Sequence, residues 1–185
     1  MTRIPLIEKH DMEPEIVEMV EAIEASSGDT TAFRVLAHRP DIMRDFLQFY
    51  SALQTQGMLD RKLVELVRPA IAQINQCANC LAGRYQDSIY QGLTEELIAL
   101  LPTARYSDRF SDREKVAVYF GQTMARDHWS VTDEDFVRLH AHFSNGEIVE
   151  LLMLVAQFIG IGRMFSVIDA MNPVCNVASA QARGP

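Results

Sequence analysis

Cysteine is scarce in this chain, contributing only three of its 185 residues. Three cysteines are too few for the disulfide framework of a small secreted domain, and the first residues show no charged, apolar and small-residue signal pattern. We therefore expect a cytoplasmic protein. In that reducing compartment thiols stay free unless an oxidant acts on them.

Positive charge is also in short supply. Lys and Arg number 17 against 25 Asp and Glu, for a formal net charge of -8. A surface of this sign repels a phosphate backbone, so nucleic acid is not an expected partner. No uninterrupted apolar run is long enough to span a bilayer, and we expect no membrane partner. The sequence lacks a Gly-rich phosphate loop, a GxSxG elbow and an HExxH pair, which excludes several large enzyme classes.

Alternating runs of β-branched residues are missing too, whereas helical periodicity extends through almost the whole chain. We expect an all-α fold with a substantial core, because 48% of the residues are hydrophobic. We predict one domain over residues 1–185, with a core motif at about 36–101. The helices at 111–171 are expected to pack on that motif or on a neighbouring subunit, because the helix after Ser144 is apolar on more than one face.

Capping residues predict the helix ends. Pro14 opens a helix that the stretch at residues 26–29 ends, and Asp60 caps a helix that stops before Cys77. Residues 111–114 and residues 144–147 each have the pattern of a capping box.

Two of the three cysteines lie three residues apart, in Cys77-Ala78-Asn79-Cys80. If Cys77 opens a helix, Cys80 lies almost one turn further on, and both sulfurs project from one face within disulfide reach. This spacing predicts a reversible thiol–disulfide cycle. The first-turn amides and the helix dipole favour a thiolate, and on that argument Cys77, usually the more exposed of such a pair, is the better nucleophile. Cys175 has no local partner and is expected to be a buried or incidental thiol.

Glu65 is a candidate proton acceptor for the cysteine pair. It lies twelve residues before Cys77, and the two side chains meet only if the chain bends between them, for which residues 73–76 are suited. Pro69 removes the backbone hydrogen bond to the Glu65 carbonyl, so we expect a distorted helix there. A solvent-facing glutamate beside a tolerated kink is the plainer interpretation of the spacing alone.

Arg84 continues the i, i+3, i+7 stripe of Cys77 and Cys80. Its guanidinium is suited to stabilise a thiolate but stays charged, so it cannot shuttle a proton. An ion pair with an acidic neighbour explains Arg84 equally well. The cysteine pair finds no second pair of ligands for a structural zinc, and we expect neither a metal nor a cofactor.

These residues resemble the alkylhydroperoxidase D and carboxymuconolactone decarboxylase superfamily. Its peroxidase branch has a glutamate, eleven residues, Cys-x-x-Cys, three residues and a histidine. Glu65, Cys77 and Cys80 match that pattern in type and spacing, whereas Arg84 stands at the histidine position. The similarity extends from about residue 36 to residue 150. It implies an all-α bundle built around a helical hairpin that carries the cysteines, assembled as a homo-oligomer, commonly a trimer or hexamer.

The same resemblance implies a division of roles. Cys80 attacks a hydroperoxide, and Cys77 resolves the product, closing a disulfide that receives electrons from a dithiol, thioredoxin-like or lipoyl reductant. We follow this assignment over the dipole argument, because dipole position is one contribution among several to thiolate stability. In the family, glutamate and histidine relay a proton, so with Arg84 in place turnover relies on Glu65 and water. We expect an antioxidant hydroperoxide reductase weakened by Arg84.

Two other functions stay open. One is a decarboxylase-like enzyme acting on a small carboxylated lactone, although that branch of the superfamily generally lacks the cysteine pair. The other is a non-catalytic helical assembly whose thiols respond to the redox state.

Overall fold

Helices form the secondary structure of the residues that the computed structural model describes, which are 2–170 without the side chains of Ser26, Ser27 and Asn79. Over this range the α-helices are α1 (Pro14–Ser27), α2 (Thr31–Leu36), α3 (Pro40–Thr55), α4 (Arg61–Asn75), α5 (Ala78–Ala82), α6 (Gln86–Tyr90), α7 (Glu95–Leu100), α8 (Asp112–Arg126), α9 (Asp133–His140) and α10 (Asn145–Val167). Short 3₁₀ segments lie at Lys9–Asp11, Leu101–Tyr106 and His128–Ser130. No residue from 2 to 170 belongs to a strand, so the all-α prediction is confirmed.

Capping residues end and start the helices where the sequence predicts. Gly28 ends α1 with a φ of 77°, a left-handed conformation that glycine adopts without steric cost. At the start of α4, the Asp60 side chain accepts a hydrogen bond from the Leu63 N–H at 2.8 Å. Ser111 and Glu114 complete the capping box of α8. The predicted boundaries at these three helices are confirmed.

The chain divides into two compact units. Of the described residues, unit 1 contains 2–55, 77–83 and 163–170, and unit 2 contains 56–76 and 84–162. The cysteine helix α5 therefore belongs to unit 1, whereas Glu65 and Arg84 belong to unit 2. The expected single domain over residues 1–185 stays a prediction.

Unit 1 has a small apolar core. Its buried members are Ile16, Val20, Ala37 and Met43, surrounded by the partly buried Ile7, Met12, Met19, Phe33, Leu36 and Leu47. Phe33 also meets Phe165 edge to face, with ring centroids 6.1 Å apart. The Arg3 N–H donates to the Ile168 carbonyl at 2.9 Å, which ties the beginning of the chain to residues after α10.

Unit 2 is organised around α4. Ten consecutive residues of this helix, 63–72, are buried, and α8 packs against them. A Cβ atom at Gly121 of α8 would lie 3.1 Å from Val67 Cγ1, so the glycine lets the two helices approach closely. The helix continues through Pro69 without a break, and the expected distortion does not interrupt it.

The α10 helix has 23 residues and is the longest in the described part of the chain. By length and composition alone it is long and apolar enough to cross a membrane, although Glu150 and Gln157 interrupt its apolar sequence. The core helix of a folded protein passes the same test. Leu151, Leu154 and Val155 are at most 1% exposed, and 33% of the apolar stretch is buried.

Polar contacts fix the start of α10. The Ser144 N–H donates to Glu147 Oε2 at 2.8 Å, and the Glu147 N–H donates to Ser144 Oγ at 3.3 Å, which is the predicted capping box. From α8, Arg113 Nη2 donates to Glu147 Oε1 at 2.6 Å. The Ser144 backbone hydrogen bond, followed by the Arg113 guanidinium, lowers the pKa of Glu147 from 4.5 to about 2. The ionised carboxylate therefore links α8 with α10.

The substitution Glu147→Gln should make the protein less sensitive to acid. Because the pKa of Glu147 is lower in the folded than in the unfolded chain, its stabilising effect is complete above pH 4.5 and is lost as the pH falls towards about 2. Urea unfolding at a series of pH values should show a steeper fall in the free energy of unfolding for wild type than for the variant. Parallel pH profiles would contradict this role for the carboxylate.

Candidate active site

The two neighbouring cysteines form a disulfide. Cys77 and Cys80 are bonded, and their Cα atoms are 5.3 Å apart. The predicted approach of the two sulfurs is thereby confirmed. A pair brought together by one short segment is suited to cycling between a dithiol and a disulfide.

A sharp turn of the chain separates α4 from the cysteines. Gln76 has a φ of 54°, in the left-handed region that non-glycine residues rarely adopt, and its N–H donates to the Ala72 carbonyl. The next residue, Cys77, is already extended. The bend predicted at residues 73–76 is therefore present and lies at Gln76.

Cys77 is the N-cap of α5. Its Sγ accepts a hydrogen bond from the Cys80 N–H at 3.3 Å, the position that a side-chain oxygen usually takes. The Leu81 N–H donates to the Cys77 carbonyl at 3.1 Å. Cys77 thus opens a helix, as the predicted approach of the two sulfurs requires. That helix has only five residues, which limits the dipole available to either sulfur.

The two sulfurs differ in exposure. Cys77 is 0% exposed, whereas Cys80 is half-buried. The expectation that Cys77 is the more exposed of the pair is wrong, because the residues packed around it enclose it completely, whereas the caps of α4 and α8, Asp60 and Ser111, are exposed. Of the two residues, Cys80 is therefore the one in contact with solvent.

Arg84 does not lie on the cysteine helix. That helix ends at Ala82, and Gly83 is extended, so the expected stripe of Cys77, Cys80 and Arg84 on one helix is wrong. Arg84 instead donates from Nε and Nη2 to the two carboxylate oxygens of Glu95, at 2.9 and 3.1 Å. The ion-pair alternative is therefore present, and a role with the thiolate stays a prediction.

Glu65 lies in the buried part of α4. It is 0% exposed, so the solvent-facing interpretation is wrong. Arg68, one turn further on and 8% exposed, donates from Nε to Oε1 at 2.8 Å and from Nη2 to Oε2 at 2.6 Å. A bidentate pair of this kind neutralises both charges inside the helix packing. Because Glu65 belongs to unit 2 and the cysteines to unit 1, its approach to the sulfurs stays a prediction.

Sequence reasoning missed Arg68. The available signal was the i, i+3 spacing of Glu65 and Arg68 within an otherwise apolar segment, which predicts an ion pair on a buried helix. In residues 2–170 no group of three or more His, Cys, Asp or Glu side chains is placed to hold a metal ion. Cys175 lies outside the described residues.

Removing one member of the Glu65–Arg68 pair should cost far more stability than removing both. We expect Glu65→Leu to lower the free energy of unfolding by about 3–5 kcal/mol, because the Arg68 charge stays buried without its carboxylate. The double variant Glu65→Leu/Arg68→Leu should lose less. Urea unfolding measures both.

An exposed pair provides the matched control. Glu134 lies 3.3 Å from Arg138 on α9, with side chains that are 82% and 45% exposed. Glu134→Gln should cost less than about 1 kcal/mol, because water screens such a pair. If Glu65→Leu costs no more than Glu134→Gln, the buried pair does not stabilise α4 as we infer.

A family model matches the part of the chain that carries these residues, and a sequence relative matches about half of the chain. The model of the Carboxymuconolactone decarboxylase family matches residues 40–121, which include α4 and both cysteines. The uncharacterised protein YdfG of Bacillus subtilis strain 168 is 27% identical over 103 residues, which are 55% of this chain and 70% of that protein.

Solved structures share the fold over almost the whole chain. A peroxidase-related protein of Ralstonia eutropha JMP134 with an alkylhydroperoxidase D core has a TM-score of 0.73 and 24% identity, covering 93% of this chain and 92% of that one. The debrominase Bmp8 in complex with 2,3,4-tribromopyrrole has a TM-score of 0.77 and 13% identity, covering 99% and 98%. The Carboxymuconolactone decarboxylase family model thus matches residues 40–121, and the chain as a whole shares the helical fold of these structures.

Proposed function

We propose that the protein is a thiol-dependent hydroperoxide reductase that cycles through the Cys77–Cys80 disulfide. The observation that carries the proposal is the asymmetry of the pair, with Cys80 half-buried and its bonded partner Cys77 fully buried. A peroxide arriving from solvent reaches the Cys80 sulfur. This supports Cys80 as the attacking sulfur and Cys77 as the resolving one.

The cycle begins with the reduced pair. The Cys80 thiolate attacks the terminal oxygen of ROOH, the O–O bond breaks, and the alkoxide leaves as ROH after taking a proton. Cys80 is then a sulfenic acid. The Cys77 sulfur attacks it, the S–O bond breaks, and the oxygen leaves as water after taking a second proton. Overall, the dithiol and ROOH become the disulfide, ROH and H₂O, a two-electron oxidation of the protein.

A dithiol of the thioredoxin-like or lipoyl class is the proposed reductant. Its thiolate attacks one sulfur to form a mixed disulfide, and its second thiol then releases the protein as a dithiol. Because Cys77 is buried, the incoming thiolate reaches Cys80, and the electrons pass to Cys77 as the leaving sulfur.

Glu65 is the proposed proton acceptor, acting through water. Both of its carboxylate oxygens accept hydrogen bonds from Arg68, but each keeps a further lone pair for a water molecule. A fixed cation such as Arg84 stabilises charge and transfers no proton. We propose that turnover depends on Glu65 and water in the absence of the family histidine.

Reductive debromination is the second candidate, because the debrominase Bmp8 shares the fold over 99% of this chain. The same pair would supply two electrons: RBr and the dithiol become RH, HBr and the disulfide. A decarboxylase acting on a carboxylated lactone would not need the thiols. A non-catalytic redox-responsive assembly would form the disulfide without turning over.

We also propose a homo-oligomer, a trimer or hexamer, in the reducing cytoplasm. Apolar side chains exposed on unit 2 support a protein partner. Met58 is 64% exposed, and Val149 and Met153 of α10 are 60% and 42% exposed. A single chain would leave these side chains in water.

Stoichiometric oxidation tests the proposed function. Reduced protein is mixed with one equivalent of cumene hydroperoxide, hydrogen peroxide or 2,3,4-tribromopyrrole, alkylated, and analysed by mass spectrometry. We expect a peroxide to remove two protons' mass with a Cys77–Cys80 linkage. Cys77→Ser should stop at a Cys80 sulfenic acid, and Cys80→Ser should not consume peroxide. Glu65→Gln should react with peroxide up to about tenfold more slowly than wild type.

Cys175→Ser is the matched control and should react like wild type, since Cys175 has no part in the proposed cycle. Faster oxidation by the bromopyrrole than by either peroxide would favour debromination. If wild-type thiols stay unmodified under peroxide, the reductase proposal is wrong. Oxidation without turnover in the presence of a dithiol reductant would leave the non-catalytic assembly.

The pair Arg84–Glu95 allows a separate test of the arginine. If Arg84 supports the thiolate, Arg84→Gln should slow the oxidation of Cys80 at neutral pH, because a cation is lost. Glu95→Gln keeps the cation and removes its carboxylate partner, so it should not slow the reaction. Rates from stopped-flow mixing with peroxide distinguish the two. If both variants slow the oxidation of Cys80 equally, the Arg84–Glu95 ion pair has a structural role and Arg84 does not stabilise the thiolate.

A further inference from the structure

Asn75, the last residue of α4, is hydrogen-bonded to the backbone of α10. Its Nδ2 donates to the Phe158 carbonyl at 3.0 Å and to the Ile159 carbonyl at 3.4 Å. These carbonyls lie in the middle of a helix, where they also accept the amide N–H four residues further on. The side-chain amide therefore adds a polar contact to the apolar α10. All of these residues belong to unit 2.

Gly162 makes room for this contact. A Cβ atom at position 162 would lie 2.9 Å from Asn75 Nδ2 and 3.8 Å from its Cγ, closer than real side chains tolerate at the nitrogen. Gly160, half a turn earlier on the same helix, would have nothing within 4 Å of an added Cβ. Of these two glycines, only Gly162 is needed for the fit against Asn75.

The anchored residue stands immediately before the redox pair. Asn75 is followed by Gln76, whose left-handed backbone ends α4, and then by Cys77, whose sulfur caps α5. A single residue, Gln76, thus lies between Asn75 and Cys77. Holding the last turn of α4 limits the paths that the chain can take into Cys77.

We propose that the contact of Asn75 with α10, which Gly162 makes possible, positions the chain entering Cys77 and thereby favours the Cys77–Cys80 disulfide over the dithiol. The proposal rests on the thiol–disulfide cycle of the proposed function. A disulfide closes more readily when its thiols are already confined near each other, because less conformational entropy is lost on closure. Asn75 is a positioning residue, since it acts through the path of the chain.

Equilibration with glutathione tests the proposal on the full chain. The exchange is disulfide + 2 GSH ⇌ dithiol + GSSG, and the oxidised fraction is read by mass spectrometry after acid quenching and alkylation. We expect Asn75→Ala and Gly162→Ala to make the disulfide easier to reduce. The ratio [GSH]²/[GSSG] at half-reduction should fall by about fivefold or more, which corresponds to a small loss of disulfide stability. Gly160→Ala, the matched control, should stay within about twofold of wild type because its Cβ meets open space.

Urea unfolding of the oxidised and reduced forms separates positioning from general stability. A merely structural anchor lowers the stability of both forms equally and leaves the glutathione midpoint unchanged, and that result would overturn the proposal. If either Asn75→Ala or Gly162→Ala does not fold, the glutathione midpoint of the other variant tests the proposal. The glutathione equilibrium is measured without peroxide. If the protein does not reduce peroxides, the proposed function is wrong, but the glutathione midpoints still test the role of Asn75.

Discussion

A pair of opposite charges inside α4 constrains unit 2. Glu65 and Arg68 lie within ten consecutive buried residues, where each charge is stable only beside the other. The helix can therefore be enclosed on every side only while the pair stays intact. An enclosed α4 is a rigid support, and its C-terminal end at Asn75 is the point from which the chain enters the cysteine segment.

The two cysteines differ in exposure at that point. Gln76 turns the chain in a left-handed conformation, and Cys77 then uses its sulfur to cap α5. Capping does not by itself bury a side chain, because Asp60 and Ser111, which cap α4 and α8, are exposed. The packing around Cys77 therefore separates the buried, resolving cysteine from the half-buried, attacking one in the proposed cycle.

Arg84 shows how a change at one motif position redistributes charge. At the position where the family pattern has a histidine, this chain has Arg84, a permanent cation. Arg84 follows the end of the cysteine helix and pairs with Glu95. Glu65 in turn has Arg68 as its partner. Glu65 and Glu95 are thus both paired with arginine, so proton transfer in the proposed cycle depends on water.

Helical periodicity, capping residues and the Cys-x-x-Cys spacing were local signals, and by themselves they determined the all-α fold, several helix ends and the disulfide. Non-local packing decided the rest. The sequence did not show that Glu65 is buried against Arg68, because burial depends on α8 and the other elements that cover α4. It did not show that α5 stops at Ala82 or that Gly162 admits Asn75, because both depend on backbone geometry and on contacts between residues far apart in the chain. Local hydrogen bonding is readable from neighbouring residues, whereas exposure and ion pairing are set only when distant segments meet.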